Sequence, residues 1–266
     1  MKKRFIVAGA LAAAFGAFSA YSAMQGFIVR RYELDRDRIT VPVNIMLISD
    51  LHSCWYGQNQ RELMAAIDAE NPDLIALAGD IFDDENSDEG AIALLSQIGA
   101  KYPCYYVIGN HEVYTGEADK LKALAAETGV TVLSGETAYI DIKGQRISIS
   151  GVDDPNVGRE RWEYQLEQTD AQRDGFSLLI SHRPEFAEQY GNSGFDLVLC
   201  GHAHGGQWRI PGILNGLYAP GQGFFPKYAG GEYKLENSTM IVGRGLERNF
   251  IPRYFNPPEL VVITVK

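Results

Sequence analysis

Short apolar runs and amphipathic stretches alternate along this chain. Val43–Ser49 is apolar, of strand length, and ends at Asp50. Residues 58–70 place Leu63, Met64 and Ile67 at helical spacing. Leu74–Ala78 is a second run, ending at Gly79-Asp80. A helix is expected over Ala91–Ile98, then a strand over Cys104–Ile108 ending at Gly109-Asn110-His111. Glu117–Thr128 reads as a helix stopped by Gly129. Short strands follow at Thr131–Leu133, Thr137–Ile142 and Gln145–Ser150, the last two joined by the turn Lys143-Gly144. Phe176–Ile180 ends at Ser181-His182, and Asp196–Cys200 ends at Gly201-His202-Ala203-His204. The C-terminal third is strand-like, rich in Gly, Pro and Tyr, and finishes with Leu260–Val265. Strands that alternate with helices predict an α/β fold. In such sheets ligands collect beyond the carboxyl ends of the strands.

The N-terminus has a different pattern. Phe5–Val29 carries no formal charge, with Lys2, Lys3 and Arg4 before it and Arg30 and Arg31 after it. About 20 apolar residues cross a bilayer as a helix, so the run is long enough. Residues 1–31 are therefore expected to be a signal-anchor or transmembrane helix, 32–43 a polar connector, and 44–266 one folded domain. The same layout suits a cleaved secretory signal, but Ala20-Tyr21-Ser22 is a weak cleavage match. The basic start favours a cytoplasmic N-terminus and an extracytoplasmic domain. A cytoplasmic-facing domain and a cleaved secreted form are the alternatives.

Composition narrows the function. The chain has 266 residues, 45% hydrophobic, and a net charge of −10. It is too apolar for disorder, and its acidity argues against a nucleic-acid partner held through phosphates. Three cysteines make no disulfide framework. Cys54 and Cys200 read as small buried residues rather than ligands. The acidic stretch Asp83–Glu89 reads as a solvated loop, and Asp153-Asp154-Pro155 as a turn. Aromatic residues between Pro211 and Tyr233 have three open roles: core, pocket rim, or contact with a membrane surface.

All five histidines stand at the ends of predicted strands. The polar sets are Asp50 with His52, Asp80, Asn110 with His111, His182, and His202 with His204. Imidazole and carboxylate are ligands for Mn, Fe and Zn. Residues i and i+2 of an extended segment point the same way, so Asp50/His52 and His202/His204 could each aim two side chains into one site. Gly79, Gly109 and Gly201 precede three of these positions and permit sharp turns and close approach. Two neighbouring metals need a bridging group, which a carboxylate supplies.

In these motifs the sequence resembles the calcineurin-like metallophosphoesterases. The matching pieces are Asp50-Leu51-His52, Gly79-Asp80, Gly109-Asn110-His111-Glu112, Ser181-His182 and Gly201-His202-Ala203-His204. A bacterial membrane-associated phosphodiesterase subgroup is similar in Gly151–Pro155, His182-Arg183-Pro184-Glu185, Arg244-Gly245-Leu246 and Phe255–Leu260. The resemblance implies a four-layer αββα sandwich behind the anchor helix, with two divalent transition-metal ions (Mn, Fe or Zn). It implies that Asp50, His52 and His204 bind the first ion, that Asn110, His182 and His202 bind the second, and that Asp80 bridges them. It places His111 as the catalytic acid or leaving-group stabiliser. Arg183 and Arg244 are candidate substrate contacts. The implied activity is hydrolysis of a phosphodiester or pyrophosphate by metal-bound hydroxide, on a substrate that a membrane anchor would favour as lipid-linked. The alternative is a non-catalytic scaffold on the same fold, which the complete ligand set argues against.

Overall fold

The computed structural model describes residues 26–172, 174–248 and 252–266. Strands β1 (Ile28–Leu34), β2 (Val43–Ile48), β3 (Leu74–Ala78), β4 (Cys104–Val107) and β5 (Thr131–Val132) enter a first sheet. A second sheet takes β6 (Thr137–Ile142), β7 (Gln145–Gly151), β8 (Phe176–Ile180) and β9 (Leu197–Cys200). After a small hairpin, β10 (Tyr218–Ala219) with β11 (Gly223–Phe224), it gains β12 (Gly231–Lys234) and β13 (Thr239–Val242). The final strand, β14 (Glu259–Val265), returns to the first sheet. The strand orders are β1-β14-β2-β3-β4-β5 and β12-β13-β9-β8-β7-β6.

The apolar runs explain the layering. In β2, Val43, Ile45 and Leu47 face a core shared with Ile147, Leu178 and Leu199 of the second sheet. Met46 and Ile48 face the other way, onto helices α1 (Arg61–Glu70) and α2 (Glu89–Gly99). Strands covered on both faces read as continuous apolar runs rather than alternating ones. The short helix α3 (Asn110–Tyr114) follows β4, and α4 (Ala118–Glu127) joins the cluster of α1 and α2. Helices α5 (Arg159–Gln172) and α6 (Ala187–Ser193) place Trp162 and Tyr190 against Leu179, Val198 and Met240 of the second sheet. The layers are therefore helix, sheet, sheet, helix. Strands β2, β3 and β4 run parallel, as do β7, β8 and β9. Their carboxyl ends carry the polar loops singled out in the sequence.

Two expectations differ from the structure. The expected anchor largely lies outside the described residues, which start at 26. Its last residues and the start of the expected connector are instead strand β1, which pairs in parallel with β14. Arg30 Nε of β1 lies 2.9 Å from Glu259 Oε2. Nothing local marks this strand, because its partner is at the far end of the chain. Among the described residues, no helix is long and apolar enough to cross a membrane. Helix α5 is the second difference, since the apolar pattern gives no sign of it. Its buried face is Trp162, Gln165 and Thr169, too polar to form an apolar stripe.

Ile263 of β14 is buried in the inter-sheet core and pairs with Tyr32 on one side and Ile45 on the other. Ile263→Ala should lower stability by about 2–5 kcal/mol through lost burial and an unfilled cavity. Urea unfolding followed by circular dichroism measures it.

Candidate metal centre

The side chains at the strand ends are aimed by unusual backbone. Asp50, His52, Asp80, His202 and His204 all have φ between +46° and +66°. Left-handed backbone costs an L-residue of order 1 kcal/mol and clusters at functional sites. The extended i, i+2 geometry expected for Asp50/His52 and His202/His204 is thus replaced by tight left-handed turns. Asp50 and His52 still converge, but His202 and His204 part. His204 begins a one-turn helix, His204–Gly206.

Three sets of donors result: His52, Asp83 and His111 form one, and the other two share Asp80. One atom from each of Asp50, His52, Asp80 and His204 lies within 4.8 Å of the others. A second set joins Asp80, His182 and His202 on the same scale. That is the size of a coordination sphere with ligand bonds of about 2.0–2.2 Å. Asp80 belongs to both of these sets, and its Oδ2 lies 3.0 Å from His182 Nε2 and 3.8 Å from His52 Nε2. Asn110 Oδ1 lies 3.2 Å from His182 Nε2, at the edge of the second set. The ligand loops also brace one another. The His202 amide donates to Asp50 Oδ1 (2.8 Å), and the His111 amide to Asp80 Oδ1 (2.9 Å). Glycines make room for this. A Cβ on Gly109 would sit 2.3 Å from Asp80 Oδ1, and one on Gly201 2.5 Å from Asp50 Oδ2.

His52 and His182 are hydrogen-bonded through Nδ1, and a third ring, His204, lies beside a carboxylate without a hydrogen bond. His52 Nδ1 meets Asp83 Oδ1 at 2.9 Å, His182 Nδ1 meets the Ala78 carbonyl at 2.7 Å, and His204 Nδ1 lies 2.9 Å from Glu247 Oε2. A partner on one ring nitrogen fixes the ring and raises the basicity of the other, the usual support for a metal-bound histidine. Asp83 corrects the expectation of a solvated loop. It is buried, because β3 delivers the start of the acidic stretch under His52 rather than into solvent. Its neighbour Asp84 meets His111 Nδ1 at 2.5 Å. Asp83, Asp84 and Glu247 are the site residues that the sequence pattern does not reveal. Only the adjacency of Asp83 to the Gly79-Asp80 motif could have signalled it.

The electrostatics demand cations. Burial opposes the charged form of Asp80, yet His182, His52 and His111 hold it well below the usual carboxylate range. Burial likewise opposes protonation of His182, but Asp80 and Asp50 outweigh it and push its pKa up to about 10. His202, buried beside that cation and near Arg183, is driven well below the usual value. His111 is raised to about 10 despite partial burial, by Asp83, Asp80 and Asp84. Asp50 Oδ2, His52 Nε2 and His202 Nε2 are buried with no hydrogen-bond partner. Such orphaned atoms are costly, and a divalent transition metal with carboxylate and imidazole ligands satisfies them. The donor set fits such ions.

Glu112 locks the loops together. Its buried carboxylate accepts from the amides of Asp80 (2.9 Å), Ile81 (2.7 Å), Phe82 (3.0 Å) and Gly109 (2.8 Å), and from the Tyr106 hydroxyl (2.8 Å). Burial and the Asp80 charge push its carboxyl up to about 7 against these donors.

The candidate substrate arginines are not at an open surface. Arg183 Nε and Nη2 meet the two oxygens of buried Asp154 at 2.6 and 3.2 Å, and Nη1 lies 3.5 Å from Glu185 Oε1. Arg244 is buried, with Nε 3.5 Å from Glu259 Oε2. Asp154 does form the expected turn, accepting from the Asn156 amide at 2.9 Å, but both it and Asp153 are buried and ion-paired. Cys54 and Cys200 lie in none of the donor sets, and Cys200 is buried.

Residues 43–206 match the family described as calcineurin-like phosphoesterase. An uncharacterized metallophosphoesterase of Campylobacter jejuni, Cj0846, is 28% identical over 90% of this chain, and the match spans 63% of that longer protein. The phosphodiesterase YaeI of Escherichia coli is 27% identical over 82% of this chain and 83% of its own length. The crystal structure of TT1561 of Thermus thermophilus superimposes with a TM-score of 0.51 at 16% identity, covering 77% of this chain and 91% of that one. At that identity the superposition speaks to the fold alone.

Two outcomes follow from the geometry. Glu112→Gln turns an amide against donated N–H groups and should cost about 1–3 kcal/mol of stability, read from the urea midpoint. Metal ligation needs neutral imidazole, while His52 and His182 carry raised pKa values. Loading Zn²⁺ onto the EDTA-treated chain should therefore release protons and tighten as pH rises through about 6 to 9. Calorimetry in buffers of different ionisation enthalpy measures this, and a pH-independent affinity would contradict it.

Proposed function

The chain belongs to the calcineurin-like phosphoesterase family, hydrolases of phosphoric ester bonds, and from that premise we propose that it is a two-metal phosphodiesterase or pyrophosphatase. The observation that carries this reading is the Asp80 carboxylate, which is shared by two of the donor sets. In this reading Asp50, His52 and His204 hold one ion, Asn110, His182 and His202 hold the other, and Asp80 lies between them. When bound, the two ions supply a nucleophile at neutral pH and polarise the phosphoryl oxygens.

The chain's own groups do the rest. Asp83, Glu247 and the Ala78 carbonyl hold the ligand rings in orientation. His111 keeps its Nδ1 against Asp84 and Asp83, at 2.5 and 3.3 Å, and these carboxylates favour its protonated form. That leaves Nε2 to protonate or steady the leaving oxygen. The ring is partly exposed and packs edge-on to His52 with centroids 4.4 Å apart, so it flanks the first ion's donor set, grouped with His52 and Asp83 rather than with Asp50, Asp80 and His204. Arg183, beside His202, is committed to Asp154 and Glu185, so the reading gives it no phosphate contact. The charge-free N-terminal stretch supports a membrane-anchored, extracytoplasmic domain. Such an anchor favours a lipid-linked phosphate as substrate.

Asp80→Asn should abolish hydrolysis of bis(p-nitrophenyl) phosphate by the Mn²⁺-loaded chain and lower its metal content. His111→Ala should lower kcat by about 10²–10⁴-fold while metal content stays near the parent's. Steady-state kinetics with elemental analysis tests both. Parental activity in Asp80→Asn, or loss of both metals in His111→Ala, would overturn the assigned roles.

A further inference from the structure

The segment between the His204 turn and β12 differs from the rest of the chain. No Asp or Glu stands between Asp196 and Glu232, in a protein with 34 acidic residues and a net charge of −10. The same segment holds the three most exposed large hydrophobic side chains among the described residues: Ile213 (84%), Phe224 (71%) and Phe225 (70%). Trp208, Tyr218 and Phe255, also exposed, adjoin them in these loops.

These loops are built rather than loose. The Leu217 amide donates to the Gly206 carbonyl (2.9 Å), the Phe225 amide to Leu217 (2.8 Å) and the Arg209 amide to Tyr254 (3.0 Å). Tyr218 and Phe224 pack edge-on with centroids 5.4 Å apart. Phe225 and Phe255 have φ of +60° and +50°, left-handed backbone that bulky side chains avoid. Phe225 keeps this backbone with its ring 6.4 Å from that of Phe224 between centroids and mostly in water. Strain of this kind is retained where the side chain meets something else.

We propose that this loop layer is a lipid-docking surface, which inserts Ile213, Phe224 and Phe225 into the boundary between headgroups and acyl chains of an anionic bilayer. Aromatic and aliphatic side chains are favourable at that depth. Anionic headgroups repel carboxylates and attract cations; the segment itself has Arg209 and Lys227 but no acid, and Glu185, Glu188 and Glu236 meet it on the Lys227 side. A protein partner would be compatible with charges of both signs at the rim. Complete loss of acids from this segment of an acidic chain selects the lipid surface. Through the Gly206 hydrogen bond the layer is tied to the His204 turn, so docking holds that turn beside the headgroups. The surface is inferred from its own geometry and goes beyond the hydrolytic reading.

Site-resolved probes test it in the full chain. Ile213→Trp and Phe224→Trp variants are mixed with phosphatidylcholine–phosphatidylglycerol vesicles whose acyl chains are brominated. The added tryptophan emission should be quenched in both, more strongly than with phosphatidylcholine alone. The triple variant Ile213→Trp, Phe224→Asp, Phe225→Asp should lose most of the quenching seen for Ile213→Trp, even where the N-terminal segment keeps the chain on the vesicle, with hydrolysis of soluble bis(p-nitrophenyl) phosphate as in the parent. The proposal is overturned by absence of quenching in both probes, or by quenching in the triple variant equal to that of Ile213→Trp. It is equally overturned by a lipid-free parental dimer that the triple variant dissolves, which would make the face a contact between copies. None of the binding readouts needs turnover. A parent inactive on the soluble diester would sink the phosphodiesterase reading while quenching still decides the docking surface.

Discussion

Asp50 and Asp80 are fully buried where the carboxyl ends of the two sheets meet, and the surrounding structure is arranged around their charge. A carboxylate removed from water costs several kcal/mol unless cations and hydrogen bonds compensate. Here the compensation is divided. The amides of His202 and His111 each donate to one of the carboxylates, and imidazoles surround the remaining oxygens. The raised pKa of His182 beside the lowered one of His202 shows the same demand, since the pair holds one proton where the field is most negative. Divalent ions answer that demand more fully than protons do, which is the physical sense of putting soft imidazole and hard carboxylate donors together.

Such a cluster survives only if its loops cannot relax. Five ligand positions in left-handed backbone represent several kcal/mol of strain taken together. The scaffold holds them from below. Glu112 ties the Asp80 loop to the Gly109 loop through four amides. On the other side, Asn256 Nδ2 and Arg253 Nη2 donate to the His204 carbonyl at 2.7 and 3.0 Å. These braces come from the approach to β14 and from α3, so the site draws on the middle and the C-terminal end of the chain. Trp162, Tyr106 and the inter-sheet core supply the rigid platform on which the braces act.

Charge is partitioned across the molecule in the same way. The acidic loop after β3 is used inward, where Asp83 and Asp84 hold His52 and His111. The loops after His204 contain no acids, and their apolar side chains face outward. One side of the donor sets is therefore lined by carboxylates that orient histidines, and the other side continues into an apolar rim.

Much of this was legible in one dimension. Each expected ligand follows an apolar run, and a buried parallel strand must end in a loop that turns polar groups outward, so strand ends and site residues announce each other. The α/β class, the central strands β2, β3, β4, β8 and β9, and the donors themselves follow from that pattern. Other features depend on partners remote in sequence. Strand β1 carries charged residues and exists because β14 is beside it. Asp83 looks like any member of an acidic run until His52 is placed over it. His202 and His204 look like an i, i+2 pair sharing one site, and only the left-handed turn at 202–206, filled by Gly205 and Gly206 against Asn256 and Gly216, sends them to different donor sets. Sequence by itself determined which chemistry the strand ends carry, because hydrophobic periodicity and residue type are local. Which donors converge, a grouping that the family resemblance implied but local pattern could not supply, and which acids are buried were decided by tertiary structure, because distance and desolvation arise only when remote segments pack.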